Sequence, residues 1–163
     1  CGDVLDAVTA QNGVQRREML SRREAAAEIC MPFMPMVSAD IAVPTDKMEA
    51  VLDMIDGEIR KIDPDPFVII VAHLGDGNAH YAVKTANMTA ERKDEVTEII
   101  EDCVLKFGGS FSAEHGIGTY KLPSMARRKN KTALAAMRAI KQALDPQNIM
   151  NPGKVIPEER GSI

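Results

Sequence analysis

A chain of 163 residues with 45% apolar and 27% charged side chains has the size and composition of one soluble globular domain. Its net charge is −4 and its one basic cluster, Arg127-Arg128-Lys129-Asn130-Lys131, is short and without interleaved aromatics, which argues against nucleic acid as a partner. No apolar run approaches the roughly 20 residues that span a bilayer, and no signal peptide is visible.

The chain opens on Cys1 instead of Met, and its first dozen residues read as part of an interrupted element, so a fragment of a longer protein is expected. Residues from about Gln15 to Ile29 read as a helix with Met19, Ala26 and Ile29 among its apolar positions. Pro32 and Pro35 end it. Val37 to Val43 alternates in part and reads as a strand closed by Pro44. Thr45 or Asp46 can cap a second helix whose apolar stripe is Met48, Val51, Leu52, Ile55 and Ile59. After the turn cluster at 63–66, Phe67 to His73 is the strongest strand, apolar on both faces. Leu74-Gly75-Asp76-Gly77 makes a hairpin loop, and Asn78 to Lys84 returns. Thr89 caps a third helix with the stripe Val96, Ile99, Ile100, Cys103, Val104 and Phe107, and Gly108-Gly109 stops it. Ser110 to Ala113 reads as a short strand, followed by a polar stretch, a helix from about Thr132 to Leu144 and a loop tail.

Between residues 37 and 113 the order is strand, helix, strand, strand, helix, strand. That predicts an α+β domain of ferredoxin-like (βαββαβ) topology: an antiparallel sheet with both helices on one face and the other face open. Residues 1–36 then form an N-terminal helical segment continuing from an upstream part. Residues 37–115 form the ferredoxin-like unit, and 116–163 a C-terminal helix and tail. Cys1, Cys30 and Cys103 are odd in number and form no CxxC pair, which points to a reducing, cytoplasmic compartment (peripheral attachment to a membrane being compatible) and not to a disulfide framework.

All three histidines fall in two glycine-rich segments, His73-Leu-Gly-Asp-Gly-Asn-Ala-His80 and Ser112-Ala-Glu-His-Gly-Ile-Gly118. A four-residue loop pairs His73 with Asn78 and Val71 with His80. His73 and His80 then share a face as diagonal neighbours, with Cα atoms roughly 7–8 Å apart, within reach of a common ion. Phe67, Ile69 and Val71 share that open face, which also favours self-association. Val68, Ile70, Ala72, Tyr81 and Val83 face the helices. Gly75 and Gly77 permit the positive φ of a tight hairpin, and Asp76 and Asn78 read as turn residues. Glu114 and His115 are adjacent and point in opposite directions, one toward a metal and the other to a different role. In a regular four-stranded sheet the last strand ends away from the hairpin tip, so Glu114 reaches the histidines only if that strand bends. A lone strand histidine is more often an ordinary satisfied polar residue; two at matched parity beside a Glu-His pair favour a functional site. Beside a catalytic metal site two other uses stay open: a metal-binding interaction module without chemistry of its own, and a metallohydrolase with Glu114 or His115 as general base. Gly116-Ile117-Gly118 lacks the context of a phosphate loop, and Arg22 and Arg23 decorate a solvated helix face.

Three segments carry a resemblance: His-Leu-Gly-Asp-Gly-Asn-x-His at 73–80, Ser-Ala-Glu-His-Gly-Ile-Gly at 112–118 and Asp-Pro-x-Asn-Ile-Met-Asn-Pro-Gly-Lys at 145–154. Together with Asp-Ile-Ala-Val-Pro at 40–44, they resemble the C-terminal domain of FAD-linked oxidases. These are the D-lactate dehydrogenase, glycolate oxidase subunit and D-2-hydroxyglutarate dehydrogenase group of vanillyl-alcohol-oxidase-like flavoproteins. The resemblance implies a substrate cap over a flavin, in an oxidoreductase that converts a 2-hydroxy acid to a 2-oxo acid with hydride passing to flavin N5. It implies His73, His80 and Glu114 as ligands of a divalent metal, commonly zinc, and His115 as catalytic base. It further implies Asn151 near the flavin, and Arg23 (or Arg22) with Asn78 at the substrate. The positions that hold a Thr and a Lys in the 2-hydroxyglutarate enzymes are Ala27 and Ser38 here, against specificity for that diacid. FAD itself is then held by an FAD-binding domain that this chain lacks, and the chain alone is expected to be inactive.

Overall fold

The period-two segments form strands β1 (Val37–Ala42), β2 (Phe67–His73) and β3 (Asn78–Lys84), in a computed structural model that describes residues 6–25, 28 and 31–158. The sheet order is β1-β3-β2 and both pairings are antiparallel. Loop length sets the hairpin register as expected: His73 lies opposite Asn78 and Val71 opposite His80. On its other side β3 places His80 opposite Asp40 and Asn78 opposite Ala42.

Strand alternation then sorts side chains by face. Val37, Ile41, Ala79, Tyr81 and Val83 are buried beneath α2 (Met48–Ile62) and α3 (Ala90–Lys106). The stripe Met48, Val51, Ile55, Ile59 of α2 joins Val96, Ile100, Cys103 and Val104 of α3 in this core; each fully buried aliphatic contributes roughly 1.5–3 kcal/mol. Cys103 is a free, buried thiol whose pKa burial pushes up, so it serves packing and not nucleophilic chemistry.

Both helices thus cover one face, and the domain is α+β with the ferredoxin-like order read from the sequence. The fourth strand is the main departure. Ser110–Ala113 contributes a single bridge, Ser110 with Ala42. Beyond it the Ala113 N–H is shared between the Asp40 carbonyl and the Asp40 side chain, and the N–H groups of Glu114 and His115 turn to that side chain, which takes the place of a continued ladder. Ile70, expected in the helix-packed core, is 43% exposed because β2 is the sheet edge. Neither Thr45 nor Asp46 caps α2; they lie in a 3-10 turn, Thr45–Lys47, that leads into the helix. Thr89 does cap α3, accepting from the Arg92 N–H at 3.2 Å.

The first helix, α1, runs Gly13–Glu24, capped by Asn12, and buries none of its residues. Ala26, Ala27, Ile29, Cys1 and Cys30 lie outside the described residues. The polar stretch after the Glu-His segment contains a short helix the sequence did not reveal, α4 (Leu122–Arg128), before α5 (Lys131–Leu144). On the open face Phe67 is partly covered, its ring stacked on Phe33 with centroids 4.2 Å apart. No helix among the described residues is long and apolar enough to cross a membrane.

The hairpin loop is held against β1 at one point. Gly77 has φ +74°, its carbonyl accepts from the Val43 N–H at 2.9 Å, and a Cβ there would stand 2.0 Å from the Val43 carbonyl oxygen. Gly75 meets nothing within 4 Å and has no positive φ. Gly77→Ala should therefore lower the urea-unfolding free energy by at least the ~1–3 kcal/mol of backbone strain. Gly75→Ala should change it by less than about 0.5 kcal/mol, as for an unconstrained surface site.

Candidate metal and substrate site

His73 ends β2 and His80 sits mid-β3, so the register delivers both imidazoles to the open face, ring centroids 5.5 Å apart. Glu114 arrives from the loop after the Ser110 bridge. Its two carboxylate oxygens reach toward both rings, Oε1 at 4.0 Å from His73 Nε2 and Oε2 at 3.6 Å from His80 Nε2. One donor atom from each of the three lies within 4.8 Å of the others. His115 stacks on the far side of His80, centroids 5.3 Å apart at 14°, and is largely exposed. Adjacent in sequence, Glu114 and His115 thus flank His80 from two sides.

What bends the chain into this position is Asp40, a residue that sequence reading passed over as part of a strand. It is 4% exposed. Its Oδ2 accepts from the backbone N–H groups of Ala113, Glu114 and His115 at 3.1, 2.9 and 3.0 Å, and Lys121 Nζ stands 3.5 Å away. Its Oδ1 accepts from Asn78 Nδ2 at 3.0 Å. Burial works to raise the Asp40 pKa, but the N–H donors of His115 and Glu114, the Asn78 amide and the Lys121 charge outweigh it and hold the carboxyl well below the usual range. A carboxylate inside an apolar strand, directly opposite a histidine, is the signal that could have found it.

A second triad, Asp40, His80 and His115, also has donor atoms close enough for an ion. It is the poorer candidate. Asp40 Oδ2 already accepts three N–H bonds and faces an ammonium, and Oδ1 accepts from Asn78, so at most one Oδ1 lone pair is left on this carboxylate. Glu114 Oε2 and His80 Nε2, which face one another at 3.6 Å, are not spent in this way.

His73, His80 and His115 border a cavity of about 740 Å³ whose lining includes Arg23, Ser38, Asp40, Ile69, Val71 and Ala82. Arg23, read from the sequence as a solvated residue with a role implied only by resemblance, is brought here: its Nη2 lies 3.0 Å from His73 Nδ1. A guanidinium can only donate, so His73 accepts through Nδ1 and carries its proton on Nε2. Lys121, unforeseen in the sequence, lines the same cavity and donates to Ser112 Oγ at 2.8 Å.

A sequence model of the family described as "FAD linked oxidases, C-terminal domain" matches residues 2–155. The chain belongs to that family. It is 34% identical over 161 residues to a D-2-hydroxyglutarate dehydrogenase of Stutzerimonas stutzeri, covering 94% of this chain and 34% of that one. It is 33% identical over 159 residues to a D-2-hydroxyglutarate dehydrogenase of Xanthomonas citri pv. viticola, with the same coverage of 94% and 34%. It is 28% identical over 165 residues to "Glycolate oxidase subunit GlcD" of Bacillus subtilis, covering 97% and 34%. The chain thus spans about a third of the length of these relatives.

Two other residues named from the family resemblance lie elsewhere. Asn78 is 3% exposed and does not line the cavity; both N–H groups of its amide are spent, on Asp40 Oδ1 and on the Ile41 carbonyl, each at 3.0 Å. It is a brace beneath the site. Asn151 belongs to the tail of this FAD-linked oxidase domain, at φ +48°, and borders a separate cavity with Lys141, Asp145 and Gly153.

Because the fold keeps Asp40 ionised below its unfolded value of about 3.9, its stabilisation is present above that pH and lost as pH falls toward the folded value. Asp40→Asn should be markedly less stable than the parent chain at neutral pH, and the gap between their urea midpoints should narrow steadily below about pH 4. A gap independent of pH would contradict the assignment.

Proposed function

We propose that this chain is the substrate- and metal-binding half of an active site that oxidises a 2-hydroxy acid to the 2-oxo acid. The observation that carries it is the convergence of His73, His80 and Glu114 donor atoms within 4.8 Å beside a cavity that also holds Arg23. Two imidazoles and a carboxylate, with further positions open to solvent, are the donor set of a catalytic divalent ion such as zinc. Such an ion supplies Lewis acidity, lowering the pKa of a bound hydroxyl. FAD, the cofactor in the family's description, supplies the hydride acceptor, held by an FAD-binding domain outside these residues.

The chain's own residues divide the remaining work. Arg23 takes the substrate carboxylate, as a planar fork suited to it. When the guanidinium turns from His73 to that carboxylate, Nδ1 of His73 is released to carry the ring proton and Nε2 is freed as a ligand atom. His115, exposed at the rim and stacked on His80, takes the hydroxyl proton, the task for which an imidazole is matched near neutral pH. Asn151, in the tail, is assigned to the flavin side.

The substrate is a monocarboxylate with a small or apolar side chain, of the glycolate or D-lactate type. Ile69, Val71 and Ala82 form the wall available to that side chain, Ser38 on the same lining is uncharged, and Lys121 is committed to Asp40 and Ser112. The reducing environment read from the cysteines makes the cytoplasm the proposed location.

Two measurements test these roles. Zinc titration of the chain against a chromophoric chelator should give one site, weakened at least ~100-fold in His80→Ala, where a ligand is lost outright and not merely loosened. Once the chain is joined to an FAD-binding domain and oxidises a 2-hydroxy acid, His115→Ala should cost about 10²–10⁴ in kcat with zinc affinity unchanged. Loss of zinc binding in His115→Ala with retention in His80→Ala would reverse the two assignments.

A further inference from the structure

We propose that Asp40 is the positioning residue of this centre: it fixes the ring tautomer of His80 and, through the same carboxylate, the backbone of Glu114 and His115. The proposal rests on His73, His80 and Glu114 as the ligand set, and goes beyond it in assigning a role to a residue outside that set.

Both carboxylate oxygens are specialised. Oδ2 accepts three consecutive backbone N–H groups, a concave nest of the kind that binds an anion. Oδ1 accepts from Asn78 Nδ2 at 3.0 Å and faces His80 Nδ1 at 3.8 Å. The latter distance is an ion-pair separation and exceeds a hydrogen bond. The carboxylate is clamped by its four amide donors, and the His80 ring, part-exposed, is the partner free to close the gap. An ionised carboxylate accepts and never donates, and Asn78 uses only one of the Oδ1 lone pairs, so the proton of a neutral His80 belongs on Nδ1. Its Nε2 lone pair is then presented toward Glu114, 3.6 Å away. That is the carboxylate–histidine pairing by which an outer group sets the tautomer and raises the basicity of a ligating imidazole.

His115 is treated differently by the same group. Its Nδ1 stands 3.8 Å from Oδ2, the oxygen already filled by N–H donors, so its backbone is fixed while its ring keeps a free nitrogen. One buried carboxylate thereby separates the two stacked imidazoles into a ligand with an assigned tautomer and a base without one.

Asp40→Asn discriminates this from a purely structural role. Three backbone N–H groups require the oxygen of the introduced amide at the Oδ2 position, which puts its NH2 where Oδ1 was. Asn78 Nδ2 can no longer donate to it, and turning the Asn78 amide would set its Oδ1 against the Ile41 carbonyl, so the variant gives up a hydrogen bond beneath the site and some stability. The new NH2 donates toward His80 Nδ1 and drives the ring proton onto Nε2, the wrong tautomer for ligation.

The test uses the metal-free and zinc-titrated chain. Long-range proton–nitrogen NMR of the neutral imidazoles should show His80 protonated at Nδ1 in the parent chain and at Nε2 in Asp40→Asn, and zinc affinity by chelator competition should fall ~10–100-fold in the variant. The tautomer in the parent chain needs no variant and stands even if Asp40→Asn folds poorly. An Nε2–H tautomer in the parent chain, or an Asp40→Asn variant that is folded and less stable yet binds zinc equally well, would overturn the role of Asp40 and leave the metal centre intact. A parent chain that binds no zinc would overturn the centre and the role of Asp40 together.

Discussion

Three backbone N–H groups on one oxygen of Asp40 are the constraint on which the site depends. A buried carboxylate costs several kcal/mol unless its lone pairs are filled, and here they are filled by the only segment able to bring Glu114 and His115 across the sheet. Had residues 110–115 continued as a regular edge strand, only alternate N–H groups would have pointed at β1 and Glu114 would have been carried away from the hairpin tip. The sheet gives up most of its fourth strand, retaining the Ser110–Ala42 bridge, and gains a loop that turns back over β1 toward β3. Lys121 and Ser112 brace this loop from its other end, through the 2.8 Å contact between them.

The second constraint is the two-residue period of the strands. Asp40, His80 and Val71 form one row across β1, β3 and β2, and Ala42, Asn78 and His73 the next. A one-residue slip in the hairpin would send His80 into the helix-packed core and Tyr81 to solvent. Register is therefore protected by the full burial of Tyr81, Ala79 and Val83, and by Gly77, whose lack of a Cβ lets the hairpin tip lie against Val43. Core packing on one face thus fixes the geometry of the candidate ligands on the other.

Local features explain what could be read in advance. The strands, the hairpin register, the helical stripes and the Thr89 cap follow from alternation, loop length and short-range bonding, all within a few residues of sequence. The three histidines and Glu114 stood out through clustering in two short segments. The role of Asp40 depends on partners 38 and 73–75 positions away, which no local pattern encodes. Asn78 looked like a turn residue because it follows Gly77, but Ala42 lies opposite it in β1, and its amide turns inward to Asp40. Arg23 lies on a helix with no buried residue, so nothing in its own neighbourhood marks the contact with His73. Helix α4 was concealed by a polar composition without a clean apolar stripe.

Charge balance joins the two halves of the proposed chemistry. Around the histidines, Asp40, Glu114 and Glu24 carry negative charge against Arg23 and Lys121, leaving one excess negative charge before any ligand enters. A divalent cation turns that excess into one positive charge, and a single substrate carboxylate brings the site to neutrality. In the proposed reaction, loss of the hydroxyl proton would create negative charge beside an imidazole able to take the proton, and His73, His80 and Glu114 would hold a cation that stabilises it. A second carboxylate on the substrate would face Ile69, Val71 and Ala82 and meet no uncommitted cation among the residues lining the cavity; its desolvation would go uncompensated. The apolar wall and the charge count thus support the same reading, the proposed 2-hydroxy acid with one carboxylate.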